Sequence, residues 1–206
     1  MAMAEVLERA GCEVEFREAQ TCCGQPAFNS GFVDEARAVE QHFLQVFFGA
    51  ELIVVPSGSC ASMIAHHYVE PDPRVWEFSQ FLVNYLKRDD FGARLDRVVT
   101  YHDSCHALRE LRIKDAPRQL LRKVRGLELV EMDVAEECCG FGGTFSVKFP
   151  DISGAMARTK IDSVIRTGAD TIVSVDSSCL MQIQGVLSRA KSNVRSMHLA
   201  EVLASR

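Results

Sequence analysis

Eight cysteines dominate the chemistry available to this 206-residue chain: Cys12, Cys22, Cys23, Cys60, Cys105, Cys138, Cys139 and Cys179. Four of them form two vicinal pairs, each followed by glycine, in "TCCGQPAFNSGF" (Thr21–Phe32) and "ECCGFGGTFSVKF" (Glu137–Phe149). Adjacent residues lie about 3.8 Å apart at Cα, below the roughly 4.4–6.8 Å usual for a disulfide. Vicinal disulfides would therefore be strained, whereas vicinal thiolates sharing a metal centre are not. The glycine after each pair lets the backbone turn sharply and approach a bulky ligand closely.

The two pairs read as copies of one unit. Gly126 follows Gly11 by 115 residues, Cys139 follows Cys23 by 116, and Cys179 follows Cys60 by 119. The closing patterns "FSQFLV" (Phe78–Val83) and "LAEVLA" (Leu199–Ala204) are offset by 121. A smooth drift across four markers argues for duplication. The division expected is residues 1–88 for a first repeat and 97–206 for a second, with a polar linker over Lys87–Asp96. Cys105, in "YHDSCHALRE", has no first-repeat partner, because its counterpart would fall before Met1. The first repeat is thus expected to lack an opening strand and a cysteine.

Short β-branched runs alternate with amphipathic stretches, as parallel βαβ units require. The second repeat reads strand (Val98–His102), Cys105, helix (Ala116–Arg125), strand (Leu127–Glu131) and the vicinal pair. It continues with helix (Ile152–Thr167), strand (Thr171–Val175), Cys179 and helix (Leu180–Ala190). The first repeat reads helix (Ala2–Ala10), strand (Glu13–Phe16), the vicinal pair, and a helix over Val33–Phe48 with Ala36, Val39, Phe43, Val46 and Phe47 on one face. Gly49, Gly126 and Gly168 are placed as helix ends. The fold class expected is α/β, two tandem pseudo-repeat units with parallel sheets. Such a fold puts the cysteines in loops after strands, the edge where open parallel sheets bind ligands. Helices starting at Cys60 and Cys179 would favour thiolate over thiol.

Composition narrows the function classes. The chain is 47% hydrophobic and 25% charged, with 23 basic against 28 acidic residues and a net charge of −5, which gives no electrostatic footprint for nucleic acid. Its longest apolar stretch, Phe43–Val55, is broken by Gln45 and Glu51 and is too short to span a bilayer. No basic, then apolar, leader pattern opens the chain, so no signal peptide is visible. "GFGG" (Gly140–Gly143) lacks the Gly-Lys-Ser/Thr ending of a phosphate loop, and no flavin or nicotinamide fingerprint occurs.

Cys105, Cys138, Cys139 and Cys179 supply the four thiolates of a [4Fe–4S] cluster. A tetrahedral zinc ion would take the same set. Zinc sites usually use C-x₂₋₄-C knuckles, and no C-x-x-C occurs here, so ligands scattered over an α/β scaffold favour the cluster. Cys22, Cys23 and Cys60 form a three-cysteine metal site without a fourth member. Cys12 reads as a packing residue.

"TCCGQPAFNSGF", "YHDSCHALRELRIKD", "ECCGFGGTFSVKFPDISGAM" and "MHLAEVLASR" resemble the lactate utilisation protein A family of cysteine-rich, CCG-domain proteins. The cysteine-rich subunit of heterodisulfide reductase and the glycolate oxidase iron–sulfur subunit share that domain. The resemblance covers essentially the whole chain. It implies an iron–sulfur redox subunit, acting with other iron–sulfur and companion subunits in the oxidation of L-lactate to pyruvate. CCG domains often close on C-x-x-C, where this chain has Ser57-Gly-Ser-Cys60 and Asp176-Ser-Ser-Cys179. With that ligand missing, a cubane in the second repeat is the more economical expectation. Two alternatives stand beside it: a cluster-assisted thiol–disulfide reductase acting on a small molecule, and a zinc-stabilised structural or adaptor protein.

Several other residues have a functional reading and a plainer one. His102 and His106 flank Cys105 and read first as structural, with ligation or proton donation as the alternative. His42, His66, His67 and His198 read as surface or packing residues on helices. Arg109, Arg112 and Lys114 would offset an anionic cluster or lie on a solvated face. Asp176 reads as a helix N-cap. Phe28, Phe141 and Phe145 would shield a cluster or anchor loops.

Overall fold

A computed structural model describes residues 1–206. The chain begins with α1 (Ala2–Arg9), α2 (Gln25–Asn29), α3 (Val33–Val46), β1 (Ile53–Val55), α4 (Gly58–His66), β2 (Val75–Glu77) and α5 (Phe78–Gln80), which runs into a π-helical turn over Phe81–Tyr85. Next come β3 (Arg94–Tyr101), α6 (Cys105–Arg109), α7 (Asp115–Leu121), β4 (Arg125–Leu129), α8 (Phe145–Lys148) and α9 (Pro150–Arg166). The chain closes with β5 (Thr171–Ser174), α10 (Ser177–Arg189), β6 (Arg195–His198) and α11 (Leu199–Ala204).

The architecture is α/β with two parallel sheets. One has order β1-β2 and the other β4-β3-β5-β6. Helices cover the larger sheet, so the middle of its central strands is buried: Val99, Ile172 and Val173 are completely buried. Both units run helix, CC-loop, long helix, strand, cysteine helix, strand, short helix, as the drifting offset requires. The units share one core. Val6 and Leu7 of α1 and Phe78 and Leu82 pack with Leu120, Leu121, Leu199 and Val202 of the second unit.

Hydrogen bonds also stitch the units together beside the cysteine helices. Gly58 N–H donates to Val175 O at 3.2 Å, and His198 Nε2 lies 2.9 Å from Pro56 O. Gly58 is required here, since a Cβ would stand 2.6 Å from Ala107 Cβ on α6.

Several sequence expectations are corrected. Glu13–Phe16 is extended but forms no strand. Its equivalent, β4, bonds to β3, whereas no strand of this chain lies beside residues 13–16, and Phe16 is exposed. The helix expected to reach Arg125 stops at Leu121. Gly126, rather than ending that helix, lies inside β4 at φ +78°, where a Cβ would collide with the Asp96 carboxylate. The cysteine helices start two residues before Cys60 and Cys179, because the side chains of Ser57 and Asp176 cap them. β3 also begins at Arg94, inside the expected linker.

Candidate metal centre

Three loops at the C-terminal edge of the larger sheet bring four thiols together. Cys105 opens α6 after β3, Cys138 and Cys139 lie between β4 and α8, and Cys179 sits in the first turn of α10. Cys139 and Cys179 are 2% and 6% exposed; Cys105 and Cys138 are half-buried. The thiols are in hydrogen-bonding reach in series, Cys105 to Cys138, Cys138 to Cys139, and Cys139 to Cys179. No disulfide forms among them. Hydrogen bonds from Cys105 and then Cys139 pull the Cys138 thiol well below its ordinary value, against its burial, with the Gly140 N–H (3.4 Å) adding to the effect. Cys105 and Cys139 are pushed up, first by the hydrogen bonds they give to Cys138 and then, for Cys139, by its bond with Cys179. The thiolate is thus favoured at Cys138, with Cys105 and Cys139 as its hydrogen-bonding neighbours.

The turn after the vicinal pair explains the glycine in the motif. Gly140 has φ +84°, and a Cβ there would stand 2.6 Å from Ser153 O on α9. Gly24, its counterpart, has φ +85° and faces Ala36 O on α3 at 3.3 Å. Only glycine combines that backbone with that approach.

In the first unit Cys23 is buried, Cys60 half-buried and Cys22 exposed. Cys23 and Cys60 lie in hydrogen-bonding reach of each other, which takes the Cys60 thiol down to about 7 and raises Cys23. Cys22 acts on Cys23 only as a nearby charge. Tyr68 Oη donates to Cys23 O at 3.2 Å and anchors this loop.

A single carboxylate joins the two cysteine helices. Asp176 Oδ2 accepts from Ser59 N–H (2.9 Å) and Ser104 Oγ (3.2 Å), while Oδ1 accepts from Ser178 N–H (3.2 Å) and Ser178 Oγ. The N-cap expected from sequence is present, and it serves α4 as well as α10. Cys60 and Cys179 each directly follow a capped residue.

Three buried polar residues complete the surroundings of the four thiols. Lys160 on α9 is almost fully buried, with Nζ donating to Val134 O and Ala135 O just before the vicinal pair. Burial lowers its pKa, and the charges of Cys139, Glu137, Asp103 and Cys138 oppose that shift. Arg118 holds Asp103 through two bonds (2.8 and 2.7 Å) and Glu131 through two more (2.7 and 3.0 Å), fixing the loop ahead of Cys105 to the end of β4. His102 is 0% exposed, and one of its ring nitrogens and the sulfurs of Cys139 and Cys179 all lie within 4.8 Å of one another. Burial first, then the Lys160 charge, takes its pKa down to about 3, so the ring is neutral.

Sequence reasoning singled out His102 but missed Lys160 and Arg118. The signal for Lys160 was available: it interrupts the buried face formed by Ala157, Ile161 and Val164. Arg109 and Arg112 are exposed, and Lys114 pairs with Glu136 at the surface, so these cations lie on a solvated face. Phe28 packs on the apolar cluster that contains Cys23 and Phe141 on the one that contains Cys139, while Phe145 pairs with Phe149 at 5.5 Å. Cys12 packs against the main core. His42 is on α3, bonded to Ala19 O, and His66 ends α4. His67 pairs with Glu110, and His198 closes β6 and caps α11.

The chemistry of this donor set fits a thiolate-bound metal group: four sulfurs on rigid edges, two deeply buried, with a buried ammonium nearby to offset negative charge. No helix is long and apolar enough to cross a membrane. The family model for the CCG cysteine-rich domain matches residues 1–65 and 99–184, segments that contain both vicinal pairs. Lactate utilization protein A of Bacillus cereus (strain G9842) is 48% identical over 218 aligned positions, covering 100% of this chain and 91% of the relative. The protein of the same name from Bacillus cytotoxicus is also 48% identical with the same coverage. Its namesake from Geobacillus sp. (strain WCH70) is 47% identical, with 92% of that relative covered. With two matched CCG segments and near-half identity along its whole length, the chain belongs to the lactate utilization protein A family of CCG cysteine-rich proteins.

Proposed function

We propose that this protein is an iron–sulfur redox subunit in lactate utilisation, working in the cytoplasm with companion subunits that oxidise L-lactate to pyruvate. The observation that supports this best is the convergence of Cys105, Cys138, Cys139 and Cys179 at one sheet edge, in a chain whose relatives are named for lactate utilisation. These four residues would hold a [4Fe–4S] cluster, and the cluster would supply one-electron transfer. Cys22, Cys23 and Cys60 would contribute to a second metal site in the first repeat. The protein's own part is to hold the thiols on rigid elements, to place the Lys160 ammonium against their negative charge, and to exclude water from Cys139 and Cys179. The repeat units, residues 1–88 and 97–206, would each frame one site.

The test is anaerobic purification of the full chain with iron, acid-labile sulfide and zinc counted per polypeptide. About four irons with matching sulfide on the second-repeat site, lost on Cys138→Ser or Cys139→Ser, is the expected result. Zinc without sulfide would overturn the reading. In cells, loss of this protein should abolish growth on L-lactate, and the Cys139→Ser form should fail to restore it.

A further inference from the structure

His102 sits at the end of β3 with its backbone fully committed. Its N–H donates to Val173 O at 2.8 Å, and its carbonyl accepts from Ser174 Oγ at 2.9 Å. The side chain is completely buried, and neither ring nitrogen makes a hydrogen bond of normal geometry in the protein, although the Ala135 carbonyl lies close enough to act on the ring. Burying a polar group without a well-formed partner is costly, a cost that a leucine or phenylalanine at the same place would not carry. The ring borders the thiols of Cys139 and Cys179, the two most buried sulfurs of the constellation. A buried polar ring without a well-formed bond, beside a converging set of thiols, marks an interaction to be completed when the site is loaded.

We propose that His102 is the N–H donor to the Cys139–Cys179 thiolate edge of the loaded centre, a positioning residue that sets the electron affinity of that centre. The proposal rests on the iron–sulfur reading above. Donation is favoured over direct ligation because Cys105, Cys138, Cys139 and Cys179 already provide four thiolates. As a donor to sulfur, the neutral ring would leave only a lone pair unpaired, which protein interiors tolerate better than an orphaned N–H. A hydrogen bond to a ligating sulfur stabilises the more negative, reduced form and so raises the reduction potential.

The test compares anaerobically reconstituted wild type with His102→Leu, His102→Asn and His102→Gln. Metal is counted first; a wild type without iron and sulfide overturns the iron–sulfur reading, and the proposal falls with it. With iron present, the expected result is a more negative midpoint potential in His102→Leu at unchanged iron content, with most of the shift recovered by whichever amide variant returns an N–H to the sulfurs. An unchanged potential in His102→Leu overturns the proposal. A second measurement stands independently of whether the His102 variants fold. Pulsed EPR of the reduced protein labelled with ¹⁵N-histidine and carrying His106→Ala, which removes the ring 3.6 Å from Cys105 Sγ, should show a weak histidine coupling transmitted through a hydrogen bond. Either no histidine coupling or the strong coupling of a directly bonded nitrogen overturns the donor role.

Discussion

Replacing Asp176 with alanine tests the junction that sets both cysteine helices. The carboxylate is 1% exposed and accepts from two backbone N–H groups and two serine hydroxyls. Ser104 is fully buried and Ser59 nearly so, so Asp176→Ala leaves donors on both without partners. Each orphaned buried donor costs about 1–3 kcal/mol, and loss of the α10 cap adds about 1 kcal/mol. Allowing for partial rescue by water, the expected loss is about 3–5 kcal/mol, a large share of the roughly 5–15 kcal/mol that stabilises a typical domain. Asp176→Asn keeps one acceptor oxygen but turns an amide N–H₂ toward one pair of donors, so its loss should be about half as large. Ser57→Ala removes only the α4 cap, whose bond to Cys60 N–H is long at 3.4 Å, and should cost about 1 kcal/mol or less. Urea unfolding of the reduced, metal-free chain, followed by far-UV circular dichroism, gives the three values. The same variants can be alkylated in the native state and mapped by mass spectrometry. Cys60 and Cys179 should react faster together in Asp176→Ala, because one cap holds both first turns. A loss below 1 kcal/mol, or faster reaction at Cys179 alone, would refute the shared-cap reasoning.

Two further perturbations follow from particular residues. Glu77 is completely buried, and desolvation raises its pKa to about 7 from an ordinary 4.5. The folded state therefore keeps a proton that the unfolded chain releases between those values, and Glu77's contribution is full below about pH 4.5 and lost as pH rises to 7. Glu77→Gln, which preserves the acceptor for Ser79 and Gln80, should match wild type near pH 4.5 and exceed it at pH 8 by up to about 3 kcal/mol. A pH-independent difference in urea midpoints would contradict this. Gly140→Ala should destabilise by well over the about 1–2 kcal/mol of a left-handed backbone, since its Cβ would also meet Ser153 O, whereas Gly143→Ala, with φ +60° and nothing within 4 Å, should cost only that backbone strain. Equal melting temperatures for the two glycine variants would contradict the close-approach account of the CCG turn.

The alternation of the main strands and helices, the repeated pattern and the spacing of the cysteines were legible along the chain because each is a local or periodic property. A vicinal pair, a β-branched run and a constant offset need no knowledge of neighbours. Failures fell where a partner decides the outcome. Glu13–Phe16 has the composition of a strand, but a strand exists only beside another, and none lies there. Gly126 looked like a helix end because glycine ends helices; its place inside β4 depends on how close Asp96 on β3 comes. Lys160 and Arg118 were not singled out, since one sequence position does not reveal that α9 and α7 turn those residues inward to carbonyls and carboxylates. Asp176 was readable as the cap of its own helix. That it also caps α4, 117 residues earlier, follows only from the packing of the two units. Residue types and their order along the chain settle which atoms are available for the chemistry. Which of those atoms meet is settled in three dimensions, because burial, close approach and hydrogen-bond partnership are made between segments distant in the chain.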